Sequence, residues 1–375
     1  MVGIMARVFR NILGAFSDGA ILFPLIGVLS KGSGYSTFTL FLTAGLFYIV
    51  SGLYFRVPMP IQPLKAIAIA AIVSGASFLE VRIAGALLGV LCLLLLVSPV
   101  IPLADKIPKF IVHGIQLSLG LMLIRKGVEE LIPFFFSLTK INSIIIIAIS
   151  GLFFLFRREK QISVLGITAG IGAILGFLTT ENTPVIHSTL HFVVNWKTIL
   201  LLVLPQLLLT SANSVIATQD VAKKYFKDQA RRVTLKSLLC SIGIGNLCSA
   251  LIGGLPFCHG SGGMTAHARG GSDHWLSNLV IGFFLLGLAA TQFLGKRVEF
   301  NYPPFLLGVM LILGGIYHTQ LASPSWKTPQ YRPILIMIAI VSTTTNNLIY
   351  GLSAGILIAF LISSLSHKGV LHDSI

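Results

Sequence analysis

The chain reads as a succession of apolar runs separated by short polar turns. Runs of about 17–25 apolar residues, the length that spans a bilayer as helix, or nearly so, recur at 12–30, 37–55, 60–77, 81–101, 108–124, 141–157 and 162–179. They resume at 198–219, 234–253, 259–270, 276–294, 303–317, 332–348 and 350–366. The pattern predicts an all-α polytopic membrane protein with about fourteen transmembrane segments. The third and tenth runs are the poorest, because each opens on proline- or glycine-rich sequence unsuited to helix.

Composition agrees with that reading. Of 375 residues, 55% are hydrophobic and 10% charged, with mean hydropathy +0.90; soluble domains carry about 25% charged residues. The net charge of +15 lies in short loops, with no basic arm of the kind that binds nucleic acid. An even number of spans puts both termini on one side. With the N-terminus inside, eighteen Lys and Arg fall in cytoplasmic segments against eight outside, so both termini are expected in the cytoplasm of a multi-pass cell-membrane protein. Arg7 and Arg10 ahead of an apolar run imitate a signal peptide, but Asp18 interrupts the run, which is read as the first helix. Cys92, Cys240, Cys248 and Cys258 form no CxxC pair, and neither metal nor cofactor is expected.

One spacing repeats along the chain. A shift of 196 lays "SDGAI" (17–21) on "NSVIA" (213–217) and Pro60 on Pro256; a shift of 195 lays "PKFIVHGIQLSLG" (108–120) on "PPFLLGVMLILGG" (303–315). Seven spans per copy is odd, so the copies are expected upside down relative to each other, as 7+7 inverted repeats with broken third and tenth half-helices meeting at the midplane. GxxxG spacings at Gly85/Gly89, Gly166/Gly170, Gly172/Gly176 and Gly351/Gly355 predict close helix approach.

The chemistry concentrates in the two poor spans. In "PMPIQPLKA", Pro58, Pro60 and Pro63 bar helix before residue 63, Pro63 suits a first helical turn, and Lys65 follows directly. A lysine at membrane depth is costly unless it serves a cavity or a partner. Beside a positive helix end it makes an anion site, with Gln62, Pro63 and Ala66 around it. In "GGLPFCHGSGGMTAHARGG" (253–271), Pro256 precedes a glycine-rich turn in which the amides of Gly260, Ser261, Gly262 and Gly263 can approach an oxyanion. Two opposed helix ends would hold one small anion between them. His259 is a buried structural histidine, an anion donor or a proton carrier, and Cys258 reads as a small core residue. Asp18 is either a proton relay or the counter-charge of Lys65, and Asn213 and Ser214 are its neighbourhood's counterparts in the second repeat. Gln206 is a weaker polar candidate, and "TTTNN" (343–347) is read as a loop near a helix end. No HExxH, GxSxG or Walker motif competes.

The segments "MPIQPLKA", "LPQLLLTSANSVIA" (204–217) and "GGLPFCHGSGGMTAHARGG" (253–271) resemble the hallmark segments of the molybdate transporter family, a relative of the SulP sulfate permeases. Gln62, Pro63 and Lys65 match its first motif, and Cys258, His259, Gly260, Gly262 and Gly263 its second. Asp18 and Pro24 match a first-helix pattern that here reads "FSDGAILFP", with Ser17 in place of glycine and Ile21 near the threonine; "TAHARGG" after "GGM" also departs from the family. The resemblance implies a core domain (1–104 and 198–296) moving against a gate domain (105–197 and 297–375). It implies uptake of molybdate, driven by protons, by alternating access. Sulfate transport, a nucleobase or carboxylate carrier on the same fold, and an anion channel or scaffold are the alternatives. Expected partners are a small oxyanion, membrane lipid, a co-transported proton and, as one option, a second copy in a homodimer.

Overall fold

The computed structural model describes residues 2–32, 35–97, 108–136, 170–172, 174, 194–291 and 303–367. The run at 141–157 and most of that at 162–179 lie outside the described residues. Helix α1 is Val2–Gly32, α2 Thr37–Phe55, α3 Lys65–Ser74, α4 Phe78–Val97 and α5 Lys109–Phe136. After α6 (Trp196–Leu209), a π-helical stretch, Thr210–Ile216, leads into α7 (Ala217–Phe226). The second half continues with α8 (Leu235–Ile252), α9 (Ser261–Arg269), α10 (Leu276–Ala290), α11 (Pro304–Leu321), α12 (Arg332–Thr345) and α13 (Leu348–His367). Among the described residues, six helical stretches are long and apolar enough to cross a membrane: α2, α4, α5, α6 with its continuation, α8 and α11.

Local chemistry fixes several ends. Asn195 accepts from the amides of Lys197 and Thr198 to start α6, and Thr234 and Ser237 form a capping box that starts α8. Helix α8 ends on Gly253 in the left-handed region, φ 68°, where glycine carries no Cβ penalty. The tract 343–347 is less loop than expected. Helix α12 runs through Thr345, turns at Asn346 (φ 53°), and Asn347 accepts from the amides of Ile349 and Tyr350 to open α13.

The two poor spans differ from expectation in where they begin. Pro63 is not in a first helical turn; it lies in a two-residue strand β1 (Gln62–Pro63) paired antiparallel with β2 (Phe257–Cys258), Gln62 opposite Cys258 and Pro63 opposite Phe257. Pairing keeps Pro63 extended, so α3 waits until Lys65. Gly262 and Gly263 likewise fall inside the first turn of α9 rather than ahead of it. Helices α3 and α9 start 196 residues apart, and α5 and α11 start 195 apart.

Helix pairing is exchanged symmetrically between the two halves of the chain. Helix α2 packs on α10, α4 on α8, and α5 on α11, with α12 and α13 beside α5. Each of the first three pairs meets backbone to backbone at glycines. A Cβ on Gly45 would stand 2.9 Å from the Gly282 carbonyl, and one on Gly89 2.8 Å from that of Gly243. In the α5–α11 pair Gly120 faces Gly315 and Gly127 faces Gly308, an order that makes the two helices antiparallel. Such contact leaves no room for side chains and brings many atoms into van der Waals range. Of the four GxxxG spacings, Gly85 packs on Pro256, Gly89 on α8, Gly170 on Phe16 of α1, and the Gly351/Gly355 pair on Ser342 and Ile338 of α12, while Gly166 and Gly176 lie outside the described residues.

Gly315→Ala should be poorly tolerated, because its Cβ would sit 2.6 Å from the Gly120 carbonyl, whereas Gly314→Ala meets nothing within 4 Å. We expect the first to lower the melting temperature of detergent-purified protein by several degrees, a cost of about 1–3 kcal/mol. The second should leave it unchanged, and equal melting of the two variants would contradict the packing.

Candidate anion site

Extended backbone in a buried setting must find partners, since each orphaned N–H or C=O costs about 1–3 kcal/mol. The residues ahead of α3 and α9 find theirs in polar side chains from other helices. Asn278 of α10 takes both groups of Met59, accepting from its N–H at 2.9 Å and donating to its C=O at 2.7 Å. Asn246 of α8 does the same for Phe257, at 3.0 and 2.7 Å. Thr43 accepts from Leu255 N–H at 2.9 Å, Ser249 donates to Leu255 C=O at 2.6 Å, and Leu64 N–H donates to Pro256 C=O at 2.9 Å. The crossing of the two extended stretches is thereby tied down from both sides.

The two helix ends beyond the crossing are not equivalent. At α3, Gln206 Oε1 accepts from Ala66 N–H at 2.8 Å and Ile67 N–H at 3.4 Å, so this end is capped by the protein itself. At α9 no side chain caps the helix. Among the described residues, no protein acceptor takes the amides of Ser261, Gly262 or Gly263. Such free amides carry the positive end of the helix dipole. Around them lie groups still without partners. Lys65 is buried at 3% exposure and, among the described residues, has no carboxylate at ion-pair distance. Its Nζ stands 3.9 Å from where a Cβ on Gly260 would be. Among the described residues, buried Ser214 Oγ has no hydrogen-bond partner except the soft thiol of Cys258. Gln62 Oε1 is likewise unpartnered and turned toward Gly260.

Other predicted residues are used differently. His259 is held at both nitrogens, Nδ1 at 2.9 Å from Pro60 C=O and Nε2 at 2.8 Å from Ser241 Oγ. Since Nδ1 faces a carbonyl it carries the hydrogen, Nε2 accepts from the serine, and neither is turned to a cargo. Asn213 Oδ1 accepts from Ser261 Oγ at 2.5 Å, orienting the first hydroxyl of α9. Asp18 is not paired with Lys65. Its Oδ1 accepts from Gln62 Nε2 at 2.5 Å, and its Oδ2 accepts from the Tyr48 hydroxyl. Its carboxylate lies against Gly263, where a Cβ would come within 2.4 Å of Oδ1. Only glycine at 263 lets α9 approach this closely.

Four functional candidates were not singled out in the sequence. Tyr48 holds Asp18, and His267, fully buried on α9, places Nε2 3.5 Å from Asp18 Oδ2, beyond good hydrogen-bond geometry. From α11, Tyr317 Oη stands 2.9 Å from the position of a Cβ on Gly262, and buried His318 lies within electrostatic reach of Lys65. The "YH" pair sits in an otherwise apolar helix, a polar interruption that could have marked it.

Comparison with known proteins identifies the family. A family model described as "Molybdate transporter of MFS superfamily" matches residues 10–123 and 198–317, more than half of the chain, and the chain belongs to that molybdate transporter family. Molybdate transporter 2 of Arabidopsis thaliana is 25% identical over 409 residues, 93% of this chain and 86% of its own. Molybdate transporter 1 of Chlamydomonas reinhardtii is 31% identical over 158 residues, 39% of this chain and 30% of its own. Among solved structures, the transmembrane domain of the cyanobacterial bicarbonate transporter BicA superposes with a TM-score of 0.57 at 14% identity, over 94% of this chain and 97% of that one. SLC26A9 gives 0.61 at 14% identity, over 97% of this chain and 66% of its own. At that identity the likeness is one of fold.

Asn278→Leu should test the crossing, since it strands both backbone groups of Met59. We expect a loss of at least about 2 kcal/mol, read as a lower melting temperature, with Asn278→Gln worse than wild type but better than leucine. Wild-type stability in the leucine variant would show that the clasp does not hold the site.

Proposed function

We propose that the protein is a secondary active transporter that carries molybdate, bound at the uncapped start of α9 across from Lys65. The observation that carries this reading is what is left once the crossing has met its own hydrogen-bonding needs. Three amides, one hydroxyl and one ammonium remain as donors near the start of α9, against a single unpartnered acceptor, Gln62 Oε1. A set dominated by donors and positive ends recognises a tetrahedral oxyanion. The amides of Ser261, Gly262 and Gly263 would supply directed hydrogen bonds, Ser214 a further one, and Lys65 the charge. Gln62, Pro63 and Ala66 would shape the opposite wall, and Asn213 would orient Ser261.

The same proposal extends to movement. We read the chain as two inverted seven-span repeats, fourteen spans in all, with a core of 1–104 and 198–296 and a gate of 105–197 and 297–375. The recurring spacing of 195 to 196 residues and the pairing of α2 with α10 and of α4 with α8 support it. Tyr317 and His318 would then belong to the gate and face the anion from the moving side, so that displacement of one bundle against the other exposes the site alternately. Asp18, gripped by Gln62 and Tyr48 next to the start of α9, is our candidate for the proton, with His267 beside it. A charged carboxylate at that spot would compete with a bound dianion for the start of α9. Protonation and cargo binding are therefore coupled in sign, as symport requires.

The primary test is equilibrium binding of molybdate by the purified protein, with tungstate, sulfate, phosphate and uracil as competitors. Lys65→Ala is expected to weaken binding by about two orders of magnitude, while Cys258→Ala stays near wild type. Undiminished binding by Lys65→Ala would remove the site, and equal competition by sulfate would make sulfate the cargo. In proteoliposomes, Asp18→Asn should still bind molybdate but fail to accumulate it against a gradient. Accumulation at the wild-type rate would take the proton away from Asp18.

A further inference from the structure

A second cationic pocket is lined by none of the residues assigned to the anion site. A cavity of about 570 Å³ opens between the end of α2, the start of α10 and the short helical turn Lys227–Arg232 that follows α7. Arg56, Arg231, Arg232, His274, Trp275, Gln229 and Asp228 line it. Three guanidiniums face one carboxylate, and among the described residues none of the three is within ion-pair distance of an acid. Two of them are held in place by contacts that leave donors free. Arg232 Nη1 donates to Tyr54 C=O at 2.9 Å, and the Arg56 guanidinium lies 5.0 Å above the Trp275 ring. His274 Nδ1 accepts from Leu276 N–H at 3.2 Å, which leaves Nε2 as a donor.

The backbone gives an independent sign. Among the described residues only three non-glycine residues have positive φ, and two of them frame this cavity: Arg56 at 60° and Lys227 at 47°. At the matching end of α8 the left-handed position is filled by Gly253, which adopts it freely. An arginine held in that conformation is kept there against its backbone preference, and such strain gathers at functional positions.

We propose that this pocket binds the phosphate monoester headgroup of an anionic phospholipid. A phosphate monoester brings close to two negative charges and several acceptors, which suits an unneutralised cluster of arginines whose planar forks pair with phosphate oxygens. The lipid source, rather than a free phosphate, follows from the surroundings. Val50, Leu53 and Tyr54 on α2 and Phe283 on α10 are exposed and apolar, so a lipid-facing wall runs up to the mouth of the pocket. Trp275 stands at its rim, as interfacial tryptophans do.

The test uses the purified full chain in detergent with short-chain phosphatidic acid, matched phosphatidylcholine, and glycerol 3-phosphate. Phosphatidic acid should be retained in native mass spectrometry and raise the melting temperature, while phosphatidylcholine should do neither. Arg231→Gln and Arg56→Gly should each weaken that retention about tenfold. Arg56→Gly should melt no lower than wild type, because glycine suits the left-handed position, so lost binding cannot be ascribed to lost folding. Glycerol 3-phosphate acting as strongly as phosphatidic acid would overturn the lipid assignment in favour of a soluble phosphate. Phosphatidic acid retained equally by both variants, or no better than phosphatidylcholine, would overturn the site.

Discussion

Two stretches of extended chain, one ahead of α3 and one ahead of α9, cross inside a bundle of helices, where water is not at hand to satisfy peptide groups. A helix closes its own hydrogen bonds; extended chain cannot, and in buried surroundings every unmet group weighs against the fold. Here the debt is met by two asparagines, the hydroxyls of Thr43, Ser249 and Thr218, a histidine and one strand pairing. Those contacts set where α3 and α9 begin and in which direction their first amides point. Had the crossing been solved by simple helix continuation, there would be no uncapped helix start in the interior. The polar side chains in the apolar spans are thus explained largely by the backbone they serve.

That asymmetric outcome arises in a nearly symmetric frame. Gln206 closes the end of α3, and among the described residues nothing equivalent closes that of α9, although the two helices occupy corresponding positions in their halves of the chain. One end is committed to holding the structure and the other keeps its donors. Lys65 sits on the capped helix with its Nζ near Gly260, at the open one. Asp18 is kept from neutralising it by being drawn toward Tyr48 and Gln62. The separation of the single buried carboxylate from the single buried ammonium of the crossing allows both to act on something other than each other.

Much of this was legible in the sequence, and the misses have a common cause. Pro58, Pro60 and Pro63 announce broken helix, and the glycines at 260, 262 and 263 announce a bare backbone, because both residue types act locally. The recurring spacing of 195 to 196 residues could be read from weak similarity alone. What could not be read were roles set by partners far along the chain. Asn246 and Asn278 look like any polar residue in an apolar span until the backbone they clasp is known. His259 looked available for chemistry, but Pro60 and Ser241 occupy it from both sides. Helix α3 begins two residues later than proline preference alone dictates, because Phe257 and Cys258 pair with the residues before it. His267 and His318 carry no local motif, and only the fold brings them to Asp18 and Lys65.

The clasp between Asn278 and Met59 also bears on how the protein is made. The two residues are 219 positions apart, so at roughly 5–20 residues per second the asparagine leaves the ribosome some tens of seconds after the backbone it must hold. For that interval the first half of the chain sits in the membrane with its central segment unfastened, able to settle α3 against α1, α4 and α5 but not against α6, and with β1 lacking its partner strand. The early spans must wait, sheltered by lipid or by the insertion machinery, for a partner not yet synthesised. Assembly is in this sense a late and single event in which both halves lock together, and a ribosome stalled midway would leave a nascent product with no folded intermediate to retreat to.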